Sequence, residues 1–430
     1  MAPVTLPGQS DLSHLSARPG NGRSLNSVPR SVYRIAVVIS HPIQYFVPLF
    51  RRVAKEPKID STVLYSSLMG SETYTDRGFG LKVKWDIPLL EGYHYKVLPG
   101  YFSANLHNFF SCSSPQVVAE LRRGGYDAAI VFGWGRLNSW LAFLGARLGR
   151  VPVMIYGDTN PLYESSKSRF VQPMRRALLA RLFRRVAAFL VTGTFNRKFY
   201  ESFGVPPEKC FHVPLAVDNA YFAAKAATVK SRRAELRARL GIAPEALVLL
   251  FVGKLVPWKR PQDLLYAAVS LRERVPHLAV AFAGEGESKP FLVSEIARLG
   301  LKNVHLLGFK NQSELPEIYG ISDIFVLPSS IDNKPLATNE AMACSLPVIV
   351  SNRTGVWGDG DLVRDGENGF VYPCGDVEAL AQAILRLVIE PGLRKGMAAR
   401  SQEIISAFSY DRCVEGILRA LDHEIGVLRA

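Results

Sequence analysis

Cysteine is scarce and unpatterned. The five present (Cys112, Cys210, Cys344, Cys374, Cys413) are odd in number and nowhere fall at C-x-x-C spacing. That argues against a disulfide framework or a zinc site and for a reducing compartment. No apolar run approaches the ~18 residues of a membrane-spanning helix. H-E-x-x-H, the Walker A glycine loop and the G-x-S-x-G elbow are all missing, which removes their chemistries from consideration. Acidic residues are the minority, 38 against 52 Lys and Arg, for a net charge of +14. The excess points to an anionic partner: nucleic acid, a phosphorylated ligand or an acidic membrane. Nucleic acid is the weakest of these, because no aromatic-basic ladder or recognised module accompanies the charge. Residues 1–32 hold Ser, Pro, Gly and Asn without an apolar centre. They read as a disordered tail rather than a secretory signal, and a cytoplasmic protein is the expectation.

What is present is ordinary globular material, 48% hydrophobic and 21% charged over 430 residues. That length predicts two domains, each able to bury its own core. Strand patterns at 34–40, 61–66, 127–133, 153–156 and 187–191 alternate with helical patterns at 43–54, 115–123, 139–148 and 171–185. The rhythm lapses over 214–227 and resumes more clearly. Strands are expected at 247–252, 278–283, 304–307, 323–327, 347–351 and 370–372, and helices at 261–274, 289–299, 312–319, 335–344, 377–389 and 393–408. Such alternation means parallel sheets covered on both faces. The fold class is therefore α/β, with two doubly wound halves and a ligand crevice between them. The expected division is a first domain over 33–225, a second over 226–408, and a final helix over 409–430 that packs back on the first domain.

Asp332 and Glu340 lie eight residues apart across a strand–loop–helix passage, with Pro335 placed as first helical residue. The free amides and dipole of that helix start favour an anion. Asp332 either faces this seat or caps the helix. Glu340 precedes Ala-Met-Ala, faces inward, and needs partners. Phe251-Val-Gly253-Lys254-Leu-Val-Pro-Trp-Lys259-Arg260 leaves a buried strand with cations at its carboxyl end, either a phosphate-binding group or a solvated turn. Ala283-Gly-Glu285-Gly-Glu follows the next strand, where glycine permits close ligand approach. On the first-domain side, His41 and Gln44 follow the first strand, and His41 either serves as acid/base or phosphate donor or closes a turn. Asp158 and Asn160 end another strand and are candidates for an acceptor wall. Asp359-Gly-Asp361 reads as a surface turn, and 169–197 as a packed helix with a solvated cationic face, an anionic membrane contact being the alternative.

Taken in order over roughly 247–384, these segments resemble glycosyltransferase family 4 on the GT-B fold. The series is the strand with Gly and two cations, Gly-Glu-Gly, Leu307-Gly308-Phe309, Pro-Ser then a carboxylate, Glu-Ala-Met-Ala, Pro-Val-Ile-Val-Ser, and Asn368-Gly-Phe-Val-Tyr. The first domain matches only in its alternation. The resemblance implies two Rossmann-like domains and retaining transfer of a sugar from a nucleoside-diphosphate sugar, with neither metal nor cofactor. The acceptor would be a glycan, a lipid-linked or a small molecule. By the same carry-over, Lys254 and Lys259 would hold the diphosphate, supported by the amides of Leu336 and Ala337, and Gly253, Glu285 and Lys334 would belong to the donor site. Glu340 would bind the ribose, Phe309 would lie near the base, and Asp332 would contact the transferred sugar. Asp332 stands where the family usually has Glu, and Lys254 where it usually has Arg. The family's first-domain His is matched by Phe132-Gly-Trp-Gly135, leaving His41 or a backbone carbonyl to take that role. A non-catalytic sugar-nucleotide sensor and a sugar-nucleotide epimerase on the same fold are the rival readings.

Overall fold

The computed structural model describes residues 32–101, 108–164 and 172–429. The expected tail, up to residue 31, and the first residues of the basic stretch, 169–171, lie outside the described residues. Chain order gives β1 (Tyr33–Ile39), β2 (Ile59–Tyr65), a hairpin of β3 (Tyr74–Asp76) and β4 (Leu81–Val83), then β5 (His94–Val97), β6 (Ala128–Phe132), β7 (Val153–Gly157), β8 (Ala188–Val191) and β9 (Cys210–His212). The second series is β10 (Leu247–Val252), β11 (Leu278–Ala283), β12 (Val304–Gly308), β13 (Ile324–Leu327), β14 (Val348–Ser351) and β15 (Gly369–Tyr372). Two parallel sheets result, ordered β5-β2-β1-β6-β7-β8-β9 and β12-β11-β10-β13-β14-β15. Strand order reverses between β1 and β6 and between β10 and β13. At such switch points the connections part to opposite faces and leave a crevice at the carboxyl ends of the strands.

The sequence of β1 explains its place. Ile35, Val37 and Ile39 join one apolar cluster, while Ala36 and Val38 join another with Val117, Leu121, Ala142 and Ala146. Period-2 alternation thus feeds both faces of the sheet. β10 is buried from end to end. Each large aliphatic side chain so buried contributes roughly 1.5–3 kcal/mol. The last helix, Tyr410–Arg429, sets Cys413, Val414, Ile417, Ala420 and Leu421 into the cluster of Ile35 and Val37, so the chain ends on its first sheet.

Several details depart from expectation. Residues 214–227 do not stay irregular: Asn219–Val229 is a helix that buries Phe222, Ala226 and Val229. Pro335 is the residue before the helix, with ψ 108, and Leu336 is first inside it. Proline's fixed φ suits either place. In the basic helix Gln172–Phe183, Leu179 and Phe183 are buried, but Met174 and Leu178 are exposed, 72% and 51%. Of the apolar positions at helical spacing here, Phe183 packs inward while Met174 and Leu178 do not, because the buried face runs through Leu179 and Phe183.

Candidate functional site

The two switch points face each other across a cleft of about 880 Å³. That is the size of a site for one elongated small molecule. Its second-domain wall includes Gly253, Phe309, Lys334, Leu336 and Glu340, and its first-domain wall includes Gln44, Tyr45, Arg136, Asp158 and Thr159. His41, Asn160, Lys254, Lys259, Glu285, Asp332 and Ala337 do not line it.

The β10 exit and the Gly-Glu-Gly turn are laced together. Leu255 N–H donates to Glu285 C=O at 2.8 Å, and Ser288 N–H donates to Leu255 C=O at 2.8 Å. A Cβ at Gly284 would collide with the Gly253 carbonyl, which is why the turn is glycine-rich. Glu285 itself is tied to Lys289 at 2.6 Å. Of the three cations after β10, Arg260 is structural: it forks onto Asp263 at 2.7 and 3.1 Å. Lys259 meets the Asp332 carboxylate, both part-buried. Lys254 meets Asp76 of the opposite domain at 2.8 and 3.0 Å.

The helix Leu336–Ala343 starts without a side-chain cap. The first-turn amides of Leu336 and Ala337 therefore present donors and the positive end of the dipole. One turn further, Glu340 is 5% exposed and accepts from the Tyr319 hydroxyl at 2.7 Å. Burial pushes its carboxyl up to about 7, against the pull of Tyr319 and Gln312. Tyr319 was not legible as a partner, because a tyrosine in an apolar helix reads as core.

On the first-domain wall, Asp158 keeps surface open to the cavity while protein surrounds it. Its carboxyl is raised, first by burial and then by the Asp332 carboxylate, while its own backbone amide and Lys334 oppose. His41 shares a hydrogen bond with Ser40 Oγ at 2.9 Å through Nδ1. Burial, then Arg136, lowers its pKa to about 4, so it is neutral at physiological pH. Asn160 donates to Asn333 Oδ1 at 2.9 Å, another bond between domains.

Asp359-Gly-Asp361 corrects the surface-turn expectation in part. Asp359 is exposed, but Asp361 has no exposed surface. Asp361 takes the Lys334 ammonium and accepts from Thr194 N–H of the first domain at 2.9 Å. Gly358 and Gly360, on either side of Asp359, let the loop turn inward to Asp361, a use the sequence does not distinguish from an outward turn. Among the described residues, no three His, Cys, Asp or Glu side chains group as metal ligands. No helix among them is long and apolar enough to cross a membrane.

Residues 232–404 match the family described as Glycosyl transferases group 1, and residues 70–221 match Glycosyltransferase Family 4. The D-inositol 3-phosphate glycosyltransferase of Actinosynnema mirum is 32% identical over 237 residues, 53% of this chain and 55% of that protein. Its namesake in Rhodococcus jostii is 34% identical over 196 residues, 44% of this chain and 43% of that protein. The matched stretch thus spans about half the length of these curated relatives or less. Among solved structures, Anabaena HepE in complex with UDP superposes with a TM-score of 0.70 at 18% identity, over 91% of this chain and 100% of that one. At that identity the likeness is one of fold.

Proposed function

Because the chain belongs to glycosyltransferase family 4 on the GT-B fold, we propose that it transfers a sugar from a nucleoside-diphosphate sugar to a glycan, lipid-linked or small-molecule acceptor, with retention at the anomeric carbon. One observation carries this reading. A single cleft gathers an uncapped helix start, a buried carboxylate one turn behind it, an aromatic ring at Phe309, and, across the gap, the polar wall of Gln44, Asp158 and Thr159. HepE has been solved with UDP and with UDP-glucose, which supports a nucleotide sugar as the donor here.

In this reading Glu340 accepts from the ribose hydroxyls, and the base lies toward Phe309. As the sugar–oxygen bond breaks, charge grows on the departing diphosphate. Lys259, Lys254 and the amides of Leu336 and Ala337 offset it, supplying from the chain the positive charge that other enzymes take from a metal ion. Asp332 contacts the transferred sugar, and Asp158 and Asn160 stand on the acceptor side. His41 would act through a neutral imidazole. Cleft closure keeps water from competing with the acceptor. The single test is Lys259→Ala. UDP or GDP affinity by calorimetry is expected to fall roughly tenfold or more, and an unchanged affinity would refute the donor site. A thermal-shift screen with UDP-, GDP- and ADP-sugars identifies the donor, since a ligand bound only by the folded state raises its melting temperature.

Met174 and Leu178 stand exposed on a helix whose neighbours Arg181, Arg184 and Arg185 are also exposed. We read this face as a peripheral contact with anionic lipid, placing the acceptor side near a membrane surface. Co-sedimentation with phosphatidylglycerol vesicles should be strong for the native chain and lost in a Met174→Asp, Leu178→Asp variant. Equal recovery of both in the pellet would end that part of the reading.

A further inference from the structure

The hairpin between β3 and β4 belongs to the first domain but lies on the second. Asp76 Oδ1 accepts from the amides of Gly78 and Phe79 at 2.8 and 3.0 Å, which folds the turn. The same carboxylate takes the Lys254 ammonium on both oxygens. The Phe79 ring sits 4.9 Å from that ammonium and meets Phe309 edge-on at 5.0 Å. Gly78 passes so close that a Cβ there would stand 2.6 Å from Lys254 Cδ. Two further bonds pin the connection that follows: Asn311 Nδ2 donates to Lys84 C=O at 2.8 Å, and Ser313 N–H donates to Asp86 at 3.1 Å.

Lys254 is one of the two cations assigned above to the diphosphate. Its charge is met by an anion borrowed from the opposite domain. The geometry around it is that of an anion site already filled: two oxygens on one ammonium, with an aromatic ring beside it. Asp76 is 13% exposed and Lys254 37%, so water screens the pair in part and a competing anion can reach the ammonium. We propose that Asp76 is an internal rival of the donor's diphosphate, holding Lys254 until a nucleoside diphosphate displaces it and lifts the hairpin. The proposal rests on the donor reading of the cleft. It adds that donor binding and hairpin release are one exchange, in which one ion pair is traded for another and no covalent bond changes. Phe79, which abuts both Lys254 and the base-side Phe309, would move with the hairpin. The first domain would thereby register whether the donor is bound in the second.

The alternative is a permanent tie between domains that stays in place when the donor binds. The two differ in sign. Wild type, Asp76→Asn, Lys254→Ala and the double variant are titrated by calorimetry with UDP, GDP and inorganic pyrophosphate. Asparagine keeps the oxygen that folds the turn and loses only the charge. Asp76→Asn is expected to bind the best of these probes roughly tenfold tighter than wild type. In the Lys254→Ala background the same substitution should change nothing. Equal or weaker binding by Asp76→Asn overturns the proposal and leaves the donor reading standing. Absence of binding by wild type and Asp76→Asn alike overturns the donor reading and the proposal with it.

Discussion

Glu340→Gln is expected to lower nucleotide affinity by on the order of a hundredfold at about pH 8, because a carboxylate that accepts from two ribose hydroxyls makes two charge-assisted hydrogen bonds and an amide cannot replace both. The pH dependence is the more telling result. Burial brings the Glu340 carboxyl up to about 7. In wild type the accepting form is lost as pH falls through that value, so affinity should drop about tenfold per pH unit below it. Glu340→Gln should be flat over the same range. Stability runs the other way. A carboxyl whose folded value lies above its ordinary 4.5 binds its proton more tightly when folded. The cost of its charge is absent below the ordinary value and complete above about 7. Wild-type stability should therefore fall as pH rises through that window, by on the order of 3 kcal/mol, and Glu340→Gln should escape the fall. A variant less stable than wild type at about pH 8, yet binding UDP equally well, would remove Glu340 from the site. The opposed signs have a common origin: the cleft keeps a costly buried anion where hydroxyls are to be held.

The fold was legible where burial is total. β10 is apolar at every position because both faces are covered, and its boundaries were readable from sequence to the residue. β5 was not legible, since His94, Tyr95, Lys96 and Val97 are all exposed and the strand exists only by pairing with β2 at the sheet edge. The hairpin of β3 and β4 had a turn signal, Asp76-Arg-Gly-Phe-Gly80, with three-residue arms too short to show a period. For the site, sequence spacing speaks only within one passage of chain. It could set Glu340 five residues beyond Pro335. It could not show that Lys254 meets Asp76 from 178 positions away, or that Asn160 meets Asn333 from 173. Tertiary folding decides those pairings. The first of them matters because, with Lys259 on Asp332 and Lys334 on Asp361, it leaves each candidate phosphate-binding lysine already matched with a carboxylate.

Asp361→Ala should be the most destabilising single change at the junction of the two domains, because of what it leaves behind. Lys334 is 4% exposed at its side chain and Asp361 not at all. Removing one partner strands an ammonium out of reach of water, which typically costs about 3–5 kcal/mol. For a chain of this size, with about 2 cal/mol/K of unfolding entropy per residue, a loss of that order lowers the melting temperature by roughly 3–6 °C. The loss also has a direction in the structure. Asp361 accepts from the first amide of helix Thr194–Glu201, where the dipole favours a negative charge. The pair therefore joins the two domains, and its removal should loosen the cleft before it melts either core. Asp361→Asn separates the contributions, since it keeps an acceptor for the Thr194 amide and drops the charge. Asp361→Leu combined with Lys334→Met replaces the pair by apolar bulk and should recover most of the lost stability. Gly193→Ala probes the same junction from the other side, because a Cβ there would run into both Asp361 and Lys334. Melting of Asp361→Ala at the wild-type temperature would mean that water reaches Lys334 after all, and that the domains are held together elsewhere, through contacts such as Asn160 with Asn333 and Asn339 with the Leu215 carbonyl.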